Sequence, residues 1–157
     1  METVTNIPVE GFNLTSKIIT IRLDNFFLTP ITSEEINNID KDKITFEFNA
    51  QGTISVPDKK FSVVLTSKIF KEEAKTNYLG EIKTSGEFSV DNIDEIIKRF
   101  NGIPQIVTGT YIGIVLGTAR GMFILKSEGT YLHGVMMPVV NLASFFTPPA
   151  AQAISTK

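Results

Sequence analysis

The 157-residue sequence has no cysteine, no tryptophan and a single histidine, His133. The missing cysteines exclude disulfide frameworks, thiolate metal sites and thiol catalysis together. No G-x-S-x-G and no G-x-x-x-x-G-K-[ST] occurs, so the common nucleophile and phosphate-cradle signatures are absent too. A net charge of −2 and a pI near 5.4 supply no basic stripe of the kind that nucleic-acid binders carry, and no nucleic-acid partner is expected. Met1 to Glu10 lacks the basic-then-apolar order of a signal peptide, which makes the expected location cytoplasmic. Charge is scarce in one region above all. Of 15 Lys and Arg and 17 Asp and Glu, only Arg120, Lys126, Glu128 and Lys157 lie beyond Gly102. The C-terminal third is therefore a burying or binding part, and the first two-thirds carry the solvated faces.

What that third contains is a long apolar stretch, Gly102 to Gly129, with Pro104 suited to a first helical position and Gly129 to the position past a helix end. It reads as one buried helix. Gly109, Gly113, Gly117 and Gly121 recur every four residues within it. Each mid-helix glycine costs roughly 1 kcal/mol relative to alanine, a cost that close packing of another backbone offsets. Tyr111, Ile112, Val115, Ala119, Met122 and Phe123 lie towards the other side. The stretch thus has one face for a sheet and a thin, flat one for a second helix, most simply that of a symmetry mate, so a homo-oligomer is expected through the four glycines. A membrane span is the rival reading. Gln105, three threonines and Arg120 interrupt the stretch, and it falls short of the roughly 20 strongly apolar residues that insertion needs.

Ahead of this helix the period is two. Lys17–Leu28 alternates Ile19, Ile21 and Leu23 with polar residues, Lys43–Gln51 alternates Ile44, Phe46 and Phe48, and Phe61–Phe70 places Phe61, Val63, Leu65 and Ile69 on one face. Tyr78–Val90 is a fourth strand, with bends or bulges expected at Gly80 and Gly86. Thr32–Asp42 reads as an exposed connection with one helical turn after Ser33. Asp91 or Asn92 can cap a short helix carrying Ile93, Ile96, Ile97 and Phe100. The expected fold is α+β, a four-stranded antiparallel sheet with a long helix and shorter helices packed on one face. It forms a single domain over 1–157, with 1–16 an N-terminal extension and 147–157 a frayed tail.

No catalytic constellation emerges, so no enzyme, cofactor or metal is expected. His133 sits in an apolar run without a second histidine or carboxylate cluster nearby, and Asp91, Asp94 and Glu95 are accounted for by a helix N-terminus. Apolar surplus is what remains. Phenylalanines and methionines exceed the need of one inward face, and the chargeless run Tyr131–Phe146 is too irregular to bury itself well. An apolar groove is expected there, lined by Phe26, Phe27, Met136, Met137 and Phe145.

Several segments resemble the SecB-type protein-export chaperones, over roughly Lys17 to Phe146. Tyr78-Leu79-Gly80-Glu81-Ile82 and Gly86-Glu87-Phe88-Ser89-Val90 resemble that family's fourth strand, Ala119-Arg120 its long helix, and Pro138-Val139-Val140-Asn141-Leu142-Ala143-Ser144-Phe145-Phe146 its Pro-Val-Asn-Phe segment and the start of its last helix. The resemblance implies a tetramer with the long helices at its centre. It also implies an ATP-independent holdase for unfolded polypeptide clients, with delivery to the SecA motor through the outer sheet face. Asp24, Leu79 and Glu81 stand where the family contacts the motor. Leu28 stands where a second acid would be, and Thr147-Pro148-Pro149 stops the last helix early. The alternative is a structural or adaptor protein of this fold dedicated to one partner, such as a toxin–antitoxin client.

Overall fold

A computed structural model describes residues 4–9, 11–71 and 77–146. Five strands, β1 (Val4–Val9), β2 (Phe12–Leu28), β3 (Ile44–Ser55), β4 (Lys60–Lys71) and β5 (Asn77–Val90), form one antiparallel sheet in the order β1-β2-β5-β4-β3. Helices α1 (Ser33–Asn37), α2 (Ile93–Phe100) and α3 (Gln105–Ser127) complete the regular structure, with 3-10 turns at Lys41–Lys43 and Leu142–Phe145. The sheet has one strand more than expected. The segment assigned to an N-terminal extension pairs instead with the first residues of β2, Ile7 opposite Leu14. Most of the expected Lys71–Asn77 loop and the whole 147–157 tail lie outside the described residues.

Alternation decides which face each strand buries. On β4, Phe61, Val63, Leu65, Ser67 and Ile69 are buried; on β5, Ile82, Thr84, Phe88 and Val90 are. These rows face α2 and α3, and Tyr111 of α3 stacks on Phe88 at 4.3 Å and lies 5.0 Å from Phe61. Burial pushes the Tyr111 phenol up from its ordinary range, and the neighbouring Ser16 side chain pulls it the other way. Gly86 is not a bulge. It pairs regularly with Ile21 and Val63, and a Cβ there would lie 2.6 Å from Val115 Cγ2, so the missing side chain lets α3 approach the sheet. The register shifts fall elsewhere, between Ile18 and Thr20, between Leu23 and Asn25, and opposite Ile69–Phe70.

The helix termini are close to their expected places. Pro104 is the N-cap of α3, one position outside the helix, and Gly129 follows the C-cap with φ +75°. Thr32 and Glu35 form a capping box on α1; the Thr32 backbone N–H and then its hydroxyl hold the Glu35 carboxyl below its ordinary range. Asn92 occupies the N-cap of α2 without capping it. Its side chain accepts from the Thr15 N–H at 3.3 Å and donates to the Asn13 carbonyl at 2.9 Å, which ties α2 to the start of β2.

Candidate functional site

The chargeless run after α3 turns back along the helix. Leu132, Val135 and Met137 enter a core cluster with Ile69, Leu79, Ile82 and Phe123, and Val140, Leu142, Phe145 and Phe146 then pack on the second cluster around Tyr111. Two polar clamps hold this path. The Tyr131 hydroxyl lies 2.9 Å from the Thr29 carbonyl and 2.8 Å from that of Leu79, and Arg120 Nη2 donates to the Pro138 carbonyl at 2.7 Å. Arg120 is the one charge in the first five turns of α3, and it spends that charge on fixing the returning chain.

The glycine stripe is consequently divided. A Cβ on Gly109 would lie 3.4 Å from the Phe146 ring and one on Gly113 3.1 Å from Leu142 Cδ1, whereas Cβ atoms on Gly117 and Gly121 would meet nothing within 4 Å. The first pair serves packing within the chain; the second pair is bare. Exposed Ile106, Ile124 and Leu125 continue the bare surface along the outer side of α3. Between the first turns of α3 and the returning chain opens an apolar cleft of about 340 Å³, lined by Gln105, Ile106, Gly109, Thr110, Leu142, Ala143 and Phe146.

The five residues expected to line a groove are not brought together. Phe26 and Phe27 are successive residues of regular β2 pairing and point to opposite faces: Phe26 packs inward, its ring 6.4 Å from Phe123, and Phe27 is 46 % exposed on the outer face. Met136 is 66 % exposed, but Met137 is 6 % exposed within the core, which corrects its assignment to a surface. Phe145 is half-buried against the Tyr111 cluster. Sequence reasoning passed over Ile106, Leu142 and Phe146, which line the cleft. Their signal was present, since all three belong to apolar stretches, but only the path of the returning chain brings them together.

Of the three residues matched to motor contacts, Asp24 and Glu81 are on the outer sheet face and Leu79 is not. Asp24 sits at the second register shift of β2, ion-paired with Arg22 at 2.9 Å and accepting from Ser85 Oγ at 3.0 Å. Leu79 is 4 % exposed, in the core with Met137, because the irregularity of β5 turns it inward. Tyr78 beside it is partly exposed, and burial first and Glu81 second push its phenol up. The outer face also carries a depression of about 300 Å³ lined by Glu47, Asn49, Gln51, Val64, Thr66, Lys68 and Lys83, polar where the helix-side cleft is apolar. Among the described residues, no group of three His, Asp or Glu is placed to hold a metal.

No protein-family model matches the sequence, and no curated protein matches it. Among solved structures the fold is similar to that of the Mycobacterium tuberculosis SecB-like chaperone Rv1957, solved in complex with a ChAD peptide from the Rv1956 HigA1 antitoxin. The TM-score is 0.49 and the identity 11 %, over 80 % of this chain and 91 % of that one.

Proposed function

We propose that the chain is an ATP-independent holdase of SecB type, which binds segments of non-native polypeptide on apolar surface and releases them without chemistry. The observation that carries this reading is the apolar cleft between α3 and the returning chain, walled by Ile106, Leu142 and Phe146 and floored by Gly109. Such a surface offers area without a fixed hydrogen-bond pattern, and that suits clients whose side chains vary. Met136 and Val139, earlier in the same returning run, are exposed as well. The sequence resemblance in β5, α3 and the Pro138–Phe146 segment points the same way. In this reading Phe145 supports the cleft from beneath, and a tetramer assembles on the bare part of α3 at Gly117 and Gly121.

A second reading, an adaptor dedicated to one partner, is favoured by the outer face. Leu79 is withdrawn into the core and Leu28 is half-buried on the inner side, so only Asp24 and Glu81 remain of the surface that would engage a motor. The two readings are separated by light scattering of several unrelated unfolded proteins with and without the chain. A general holdase suppresses the aggregation of all of them; an adaptor protects one or none.

A further inference from the structure

The two edges of the sheet are built differently. Edge strand β1 is 6 residues long and contains Pro8, which has no N–H to offer an incoming strand. The other edge, β3, is 12 residues long and pairs with β4 from Ile44 to Ser55 without a register shift. From Phe48 to Ser55 it contains no proline, no lysine and no charge of either sign. Bulges, prolines and charges are the usual protections of such an edge, and this stretch has none of them. Among the described residues no strand pairs with its outer side.

We infer that Phe48–Ser55 of β3 takes up an extended, uncharged polypeptide segment as a sixth strand. This deepens the holdase reading and rests on it. Main-chain pairing reads every sequence alike, and side chains at alternate positions supply the preference. On the helix side of the sheet the added strand would lie beside Phe48, Ala50 and Ile54, and on the outer side beside Asn49, Gln51 and Thr53, so apolar residues at alternate positions are favoured. A charged segment would meet no partner of opposite sign on this stretch. A second copy of the chain is the poorer occupant. Eight residues span about 26 Å and a sheet is about 10 Å thick, so edge-to-edge contact buries a few hundred Å² per copy, against about 800 Å² per partner in a stable interface.

The test uses the full chain and an end-blocked nine-residue peptide of alternating Val and Thr, with two derivatives N-methylated at odd or at even positions. In an added strand the N–H groups of one parity face β3 and those of the other face solvent. One derivative should therefore bind about tenfold more weakly than the parent and the other about as well. Amide exchange at alternate residues between Phe48 and Ile54 should slow when the parent peptide is added. Equal binding of all three peptides, or protection elsewhere in the chain, overturns strand addition. So does slowed exchange in β3 that follows protein concentration without peptide, which would assign the edge to a second copy. If unfolded clients are held while methylation is ignored, strand addition alone falls. If neither clients nor peptides bind, the holdase reading falls with it.

Discussion

At Tyr131 one phenol joins three segments, because its hydroxyl reaches the chain just past the end of β2 at the Thr29 carbonyl and the start of β5 at that of Leu79. Leu79 O also accepts from the Thr29 N–H at 2.9 Å, so it keeps a partner if the phenol is removed. Tyr131→Phe should therefore cost about 1 kcal/mol, read from urea unfolding. Burial raises the Tyr131 phenol above its ordinary value of 10.0. A group raised in the fold holds its proton more tightly there than in the unfolded chain. Its contribution is complete below pH 10 and is lost as pH climbs through the higher folded value. The variant should lose less stability than the wild type between neutral and strongly alkaline pH, with a residual slope from Tyr111 and Tyr78, which are raised in the same direction. An equal alkaline loss in both proteins would show that the Tyr131 phenol ionises as readily in the fold as in the unfolded chain. The two methionines next along make a second comparison. Met137→Ser should cost about 2–4 kcal/mol, whereas Met136→Ser should change the melting temperature little, because only the first empties a buried site. Loss of client binding in Met136→Ser with the fold intact would support its place in the binding surface.

Elements were legible where one face of a regular period is buried. Phe61, Val63, Leu65 and Ile69 on β4, and Ile93 and Ile96 on α2, are all buried as their spacing requires. The strand β1 escaped because Val4–Val9 is short and interrupted by Pro8; its partner at the start of β2, not its own pattern, makes it a strand. The two register shifts of β2 escaped for a related reason, whereas the irregularity of β5 lies beside Gly80, where a bend or bulge was expected. A register shift is a relation between two strands, and Asp24 carries no mark of it in sequence. Gly86 was recognised as a special position but for the wrong cause, since the need for glycine comes from Val115 across the layer. Val115 is fully buried and has nowhere to move. Gly86→Ala should accordingly force α3 away from β5 at a cost of about 1–3 kcal/mol, measured by chemical denaturation. A cost near zero would mean that the layers can separate freely at that point. The candidate site was the least legible part, because the cleft exists only once Arg120 and Tyr131 have fixed the returning chain.

For the molecule as a whole, the division of the glycine stripe turns the question of assembly into one about two positions. Gly113→Leu would be ambiguous, since its side chain runs into Leu142 and disturbs the returning chain as well as any partner helix. Gly117 is free of this objection, being exposed with no atom near the position of its Cβ. If the chain acted as a monomer, Gly117→Leu would replace a poor helix former by a good one on an open surface, and stability should rise by about 0.5–1 kcal/mol. If α3 packs backbone to backbone on a symmetry mate, the same leucine occupies the space the partner needs. The expected result is then a folded protein of lower mass by light scattering, with α-helix and sheet content unchanged by circular dichroism. A variant that keeps the wild-type mass, or a wild type that is already monomeric, would remove the proposed assembly. In that case four poor helix formers at 109, 113, 117 and 121 would be explained only as far as Phe146 and Leu142 cover the first two.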